Sequence, residues 1–123
     1  MSQHRSPQGL VPYSALIGGV VQNQRKFLNL QQGEIAQRLG LSQSAYSRIE
    51  SGDTVMSVTQ LRQIAVLLNT SAQRILDQAD MIANQLFSQG VQISHEKKDN
   101  SGAILIGLGI LAAALVAAGS LSE

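Results

Sequence analysis

Gly40 constrains this chain more than any other residue. It stands between two short runs of helical apolar spacing, where a glycine supplies the left-handed backbone that ends one helix and lets the next leave at a steep angle. In QGEIAQRLGLSQSAYSRIES, residues 32–51, Ile35 and Leu39 are four apart and face the crossing. Ala36 falls where the two helices touch most closely, so a small side chain is needed there. Leu41 plugs the gap beneath the turn, and Tyr46 and Ile49, three apart, return the contact from the second helix. Tyr46 is the least usual of these residues. Its ring is expected in the seam with the hydroxyl reaching water.

The same periodicity extends to both sides. Leu16, Ile17, Val20, Val21, Phe27 and Leu28 predict a first helix over 13–28, although Gly18 and Gly19 each cost about 1 kcal/mol in a helix interior. The second helix covers 31–39, and Ser42 caps a third over 43–51, with Gly52 as its stop. Ser57 caps a fourth, striped by Val58, Leu61, Ile64, Ala65 and Leu68 and closed by Asn69. Ser71 opens a fifth, with Ile75, Leu76, Ala79, Ile82, Ala83, Leu86 and Phe87 on one side and Gly90 at its end. No strand is predicted. The expected fold class is all-α, a five-helix domain with a further C-terminal apolar helix. Residues 1–12 read as a flexible arm, lacking the apolar run of a signal peptide. Residues 13–76 form the helix-turn-helix domain, 77–101 the helix-five extension and a polar linker, and 102–123 the apolar segment.

Composition removes most chemistry. Aromatic residues are 3% of the chain and Trp is absent, so the core must be aliphatic. With no Cys, disulfides, thiolate zinc sites and cysteine nucleophiles are excluded. His4 and His95 have no metal-ligand partner at helical spacing, and Asp77 and Asp80 read as a solvated face. Gly107 and Gly109 lie inside an apolar run that no nucleotide site would use. Neither an enzyme, a metal, a cofactor nor a small-molecule substrate is expected. Charge is unevenly placed: residues 1–76 carry seven Lys and Arg against Glu34, Glu50 and Asp53, whereas Lys97 and Lys98 face five acids in 77–123. A basic front half suits a phosphate-binding surface.

The stretch RKFLNLQQGEIAQRLGLSQSAYSRIESGD, residues 25–53, resembles the Cro/CI family of phage and bacterial repressors, also called XRE-type regulators. The likeness covers about 13–76. It implies a lambda repressor-like domain in which helix three enters the major groove of double-stranded DNA and helix two lies across the backbone. Dimers of such domains place two recognition helices about 34 Å apart, one turn of duplex. The resemblance assigns Gln32 to a phosphate, Gln43, Ser44, Ser47 and Arg48 to base edges, and Ser42 to a helix cap that also touches phosphate. The loop from Gly52 to Thr54 would approach the sugar-phosphate backbone. Asp53 departs from the family, where a Lys is common, and an acid beside phosphate is unfavourable. Arg25 and Glu50 occupy the positions of a family ion pair that ties helix one to the end of helix three, a brace rather than a catalytic dyad.

Residues 103–119 contain seventeen residues without a polar side chain. As a helix they would approach the bilayer core thickness of about 30 Å, and Lys97 and Lys98 would suit a cytoplasmic flank. Alternatively, Ile104, Leu108, Leu111 and Leu115 at 4-3-4 spacing form an oligomerisation stripe, next to a second stripe of Leu105, Gly109, Ala112 and Val116. The preferred expectation is a cytoplasmic homo-oligomer, a dimer of DNA-binding dimers on a palindromic operator. The alternatives are an antitoxin-type repressor whose tail is masked by a partner, and an inner-membrane-tethered regulator or adaptor.

Overall fold

The structure, a computed structural model, describes residues 9–96. Within them the order is β1 (Gly9–Pro12), α1 (Tyr13–Phe27), α2 (Gln32–Leu39), α3 (Gln43–Ser51), α4 (Val58–Leu67), α5 (Ala72–Ser88) and β2 (Val91–Ser94). The five expected helices are present. Residues 1–8 and 97–123 lie outside the described residues, and with them the expected C-terminal helix and its residues Ile104, Leu108, Leu111 and Leu115.

Each helix boundary has a local cause. Ser42, Ser57 and Ser71 accept hydrogen bonds from the backbone N–H groups of Ala45, Gln60 and Arg74, satisfying donors that the first turn leaves free. Glu34 reaches back to accept from the Gln31 N–H at 2.7 Å, closing the start of α2. Gly40 ends α2 at φ +72°, as the turn requires, and Asn69 follows α4 at φ +57°.

α1 is the central element and packs most extensively against α3 and α5. Leu16, Val20 and Val21 are buried with Ile49 of α3, Ile64 of α4, and Ile75, Ala79 and Ile82 of α5, in an almost wholly aliphatic core. The glycine that weakens α1 in isolation is what permits this packing. A β-carbon on Gly18 would stand 2.3 Å from the Glu50 carbonyl oxygen and 2.5 Å from that of Ile49. The C-terminal turn of α3 therefore rests directly on the α1 backbone. Ser14 adds a hydrogen bond from its hydroxyl to the Gly52 carbonyl at 3.0 Å.

Two expectations are corrected. The flexible arm is ordered from Gly9, and the linker begins with a strand. β1 and β2 pair in parallel, with Gly9 opposite Val91 and Pro12 opposite Ser94. Val11 and Val91 carry the pair into the core. Strands of four residues are too short to show alternation, and their partners lie about eighty residues apart, beyond the reach of local pattern. Gly90, at φ +88°, turns the chain off α5 toward β1.

Candidate nucleic-acid interface

α3 has two faces. Tyr46, Ile49 and Glu50 point inward and are buried, while Gln43, Ser44, Arg48 and Ser51 are exposed and Ser47 is half-buried. Positions 43, 44, 47, 48 and 51 recur at one-turn spacing, so they share one solvent-facing side. That side is short, polar and cationic at Arg48. Among the described residues, the Arg48 guanidinium makes no hydrogen bond or ion pair.

The start of α2 lies beside the start of α3. Gln43 Oε1 sits 3.7 Å from where a β-carbon on Gly33 would stand. The Gln43 side chain thus reaches the first turn of α2. Ser42 spends its hydroxyl oxygen on the Ala45 N–H and lies 3.3 Å from the Ser44 hydroxyl. In the following loop the Thr54 N–H bonds the Arg48 carbonyl, and the Ser51 hydroxyl donates to Asp53 Oδ2 at 3.0 Å. These contacts hold the loop against the end of α3.

Beneath this face lies an ionic brace. Arg25 donates from Nε to Glu50 Oε2 at 2.7 Å and from its Nη2 to Oε1 at 3.0 Å, a bidentate geometry. Arg25 is 6% exposed and Glu50 5%. A further Arg25 nitrogen donates to the Leu30 carbonyl at 2.8 Å, fixing the bend between α1 and α2. Gln32 Nε2 donates to Glu50 Oε1 at 2.9 Å. Burial alone would push the Glu50 carboxyl up, but the Arg25 guanidinium, then the nearby Tyr46 hydroxyl and the Gln32 amide, outweigh it and hold the group below its ordinary value.

The Gln32 link is a feature that sequence reasoning missed. The side chain that the resemblance assigns to a phosphate is also tied to the brace. The placement of Tyr46 corrects an expectation as well. Its hydroxyl does not reach water: the residue is fully buried, and the oxygen lies beside Glu50 without meeting a partner in good hydrogen-bonding geometry. Burial, and then the neighbouring Glu50 carboxylate, push its pKa far above the usual value. A buried unpartnered hydroxyl costs about 1–3 kcal/mol. Tyr46→Phe is therefore expected to raise unfolding stability by about 1 kcal/mol in urea denaturation, and a clear loss would show that the hydroxyl is bonded. Asp80, read from sequence as a solvated acid, accepts a hydrogen bond from the Tyr13 hydroxyl at 2.6 Å.

Among the described residues, no cluster of His, Asp or Glu could hold a metal ion, and no helix is long and apolar enough to cross a membrane. Residues 103–119 lie outside that range.

Comparison with known proteins bears on the same region. Residues 21–75 match the helix-turn-helix family. The ImmF control region 10 kDa protein of Bacillus phage phi105 is 38% identical over 53 residues, covering 43% of this chain and 59% of that protein. The chain thus spans about three-fifths of that relative's length. No solved structure matches. The match over 21–75 covers the crossed helices about Gly40 and both residues of the Arg25–Glu50 brace, and over that segment the chain is similar to the helix-turn-helix family.

Proposed function

We propose that the chain is a DNA-binding transcriptional regulator that inserts α3 into the major groove of double-stranded DNA. The observation that carries this reading is the two-faced α3: its core face is locked by Tyr46, Ile49 and Glu50, leaving Gln43, Ser44, Ser47 and Arg48 together on the outside. Gln pairs in two-bond geometry with adenine and Arg with guanine, whereas Ser suits either. The α2 N-terminus with Gln32, the Ser42 cap and the loop through Thr54 would engage phosphates on either side and set the register without reading sequence.

A palindromic operator follows if two copies bind across a two-fold axis, with half-sites one duplex turn apart. We assign the tail residues Ile104, Leu108, Leu111 and Leu115 to assembly of dimers into a tetramer, and the whole to the cytoplasm. The uninterrupted apolar run 103–119 also favours a second reading, in which the same regulator is tethered to the inner membrane. A masking partner, as in an antitoxin-type repressor, would cover the same run.

Arg48→Ala is expected to cost about 1–3 kcal/mol on the preferred duplex and to relax preference at one base position. Gln32→Ala should weaken binding to every duplex alike. Binding selections from randomised duplexes, followed by affinity measured at several salt concentrations, distinguish the two. Equal losses on all sequences from both variants would contradict the assigned roles.

A further inference from the structure

We propose that a groove on the domain is the intramolecular dock for the chain's own apolar tail, seated through Leu105. The groove has a volume of about 250 Å³, and its lining includes Ile17 of α1, Val58 and Leu61 of α4, and Leu76 of α5. His95 and Glu96 line it as well. At its lip Val58 is 82% exposed, and the neighbouring Val55 is 58% exposed. Single exposed apolar residues are ordinary, but these two border an apolar cavity. Its volume falls below the range of about 300–1,000 Å³ common for small-molecule pockets. A dry cavity of about 150 Å³ takes a benzene-sized group, so this one suits inserted aliphatic side chains.

The occupant is indicated by where the chain leads. Residues 97–123 lie outside the described structure and begin at the groove itself, because Glu96 lines it. At that exit point the Glu96 N–H donates to the Ser94 hydroxyl at 3.1 Å, and the Tyr13 and His95 ring centroids are 6.2 Å apart. Leu105 follows Glu96 by nine residues, which span about 30 Å when extended. A return to the groove is therefore well within reach. So short a tether gives an effective concentration in the millimolar range, favouring the chain's own tail over that of a second copy. Residues 103–119 carry no polar side chain and need cover. Leu105 begins the stripe of Leu105, Gly109, Ala112 and Val116. Seating that stripe leaves Ile104, Leu108, Leu111 and Leu115 free for other copies. None of this depends on DNA binding.

The chain has no cysteine, so paired replacements can be read cleanly. Full-length protein carrying Val58→Cys with Leu105→Cys is treated with a short bis-maleimide in dilute, detergent-free buffer. The control carries Val66→Cys, which is exposed on α4 but does not line the groove, with the same Leu105→Cys. The expected result is an intrachain product formed about tenfold more in the groove pair than in the control. Equal yields, products chiefly between chains when differently tagged copies are mixed, or a full-length chain that remains in solution only with lipid vesicles would each overturn the proposal. In a second variant, Val58→Asp, the exposed position spares the fold, which a circular dichroism spectrum checks. Release of the tail should raise binding of an apolar-surface dye several-fold, and unchanged dye binding would also overturn the proposal.

Discussion

Gly18→Ala is expected to unfold the domain or destabilise it by about 4 kcal/mol or more, at the upper end of single substitutions. The added methyl group would meet the Glu50 and Ile49 carbonyl oxygens at 2.3 and 2.5 Å, and both are backbone atoms that cannot rotate away. Overpacking against side chains typically costs about 1–3 kcal/mol, and here the whole end of α3 must shift. Moving α3 off α1 would also pull Glu50 from Arg25. Helix propensity argues the other way, since alanine is favoured over glycine by about 1 kcal/mol in a helix interior. Gly33→Ala separates the two effects. At Gly33 the nearest neighbour is the end of the flexible Gln43 side chain, 3.7 Å away. Thermal unfolding should show Gly33→Ala neutral or stabilised and Gly18→Ala strongly destabilised. Similar behaviour of the two variants would mean that α1 and α3 are not in backbone contact.

Glu50→Ala is the second large effect. It leaves the Arg25 guanidinium buried without its counter-charge and removes an acceptor from Gln32, and breaking a buried pair in this way costs about 3–5 kcal/mol. Replacing both partners with apolar residues should cost much less, because no charge is stranded. The pH dependence follows from the direction of the shift. The Glu50 carboxyl is held below its ordinary value of 4.5 in the folded chain. The unfolded chain therefore takes up its proton first as pH falls. The contribution of the pair is fully present above that ordinary value and is lost as pH drops through the lower folded one. Denaturation midpoints measured from neutral to strongly acidic pH should show this acid loss in the native chain and a weaker one in Glu50→Ala. An unchanged melting temperature in Glu50→Ala would refute the brace.

The helices were legible because each was signalled by nearby residues. Ser42 before the α3 stripe and Gly40 after α2 act within a turn of where they stand, and the apolar spacing of α5 shows over its whole length. β1 and β2 were not legible, because each is only four residues long and gains its register from a partner at the opposite end of the chain. Gly18 was visible as an anomaly, but its reason, the α3 backbone pressed against it, exists only in three dimensions. The face of α3 was readable from the spacing of Gln43, Ser44, Ser47 and Arg48. The tie from Gln32 to Glu50, and the burial of the Tyr46 hydroxyl beside the pair, depend on side-chain directions that spacing does not give.

The outward side of α3 as a DNA-reading surface is tested most directly by titrating the full chain with a selected duplex and following backbone amides by NMR. The predicted result is that the largest shifts fall on Gln32, Ser42, Gln43, Ser44, Ser47, Arg48 and Thr54 and diminish steeply as salt is raised. Shifts confined to α5 and the strands, or none on α3 at any salt concentration, would contradict it.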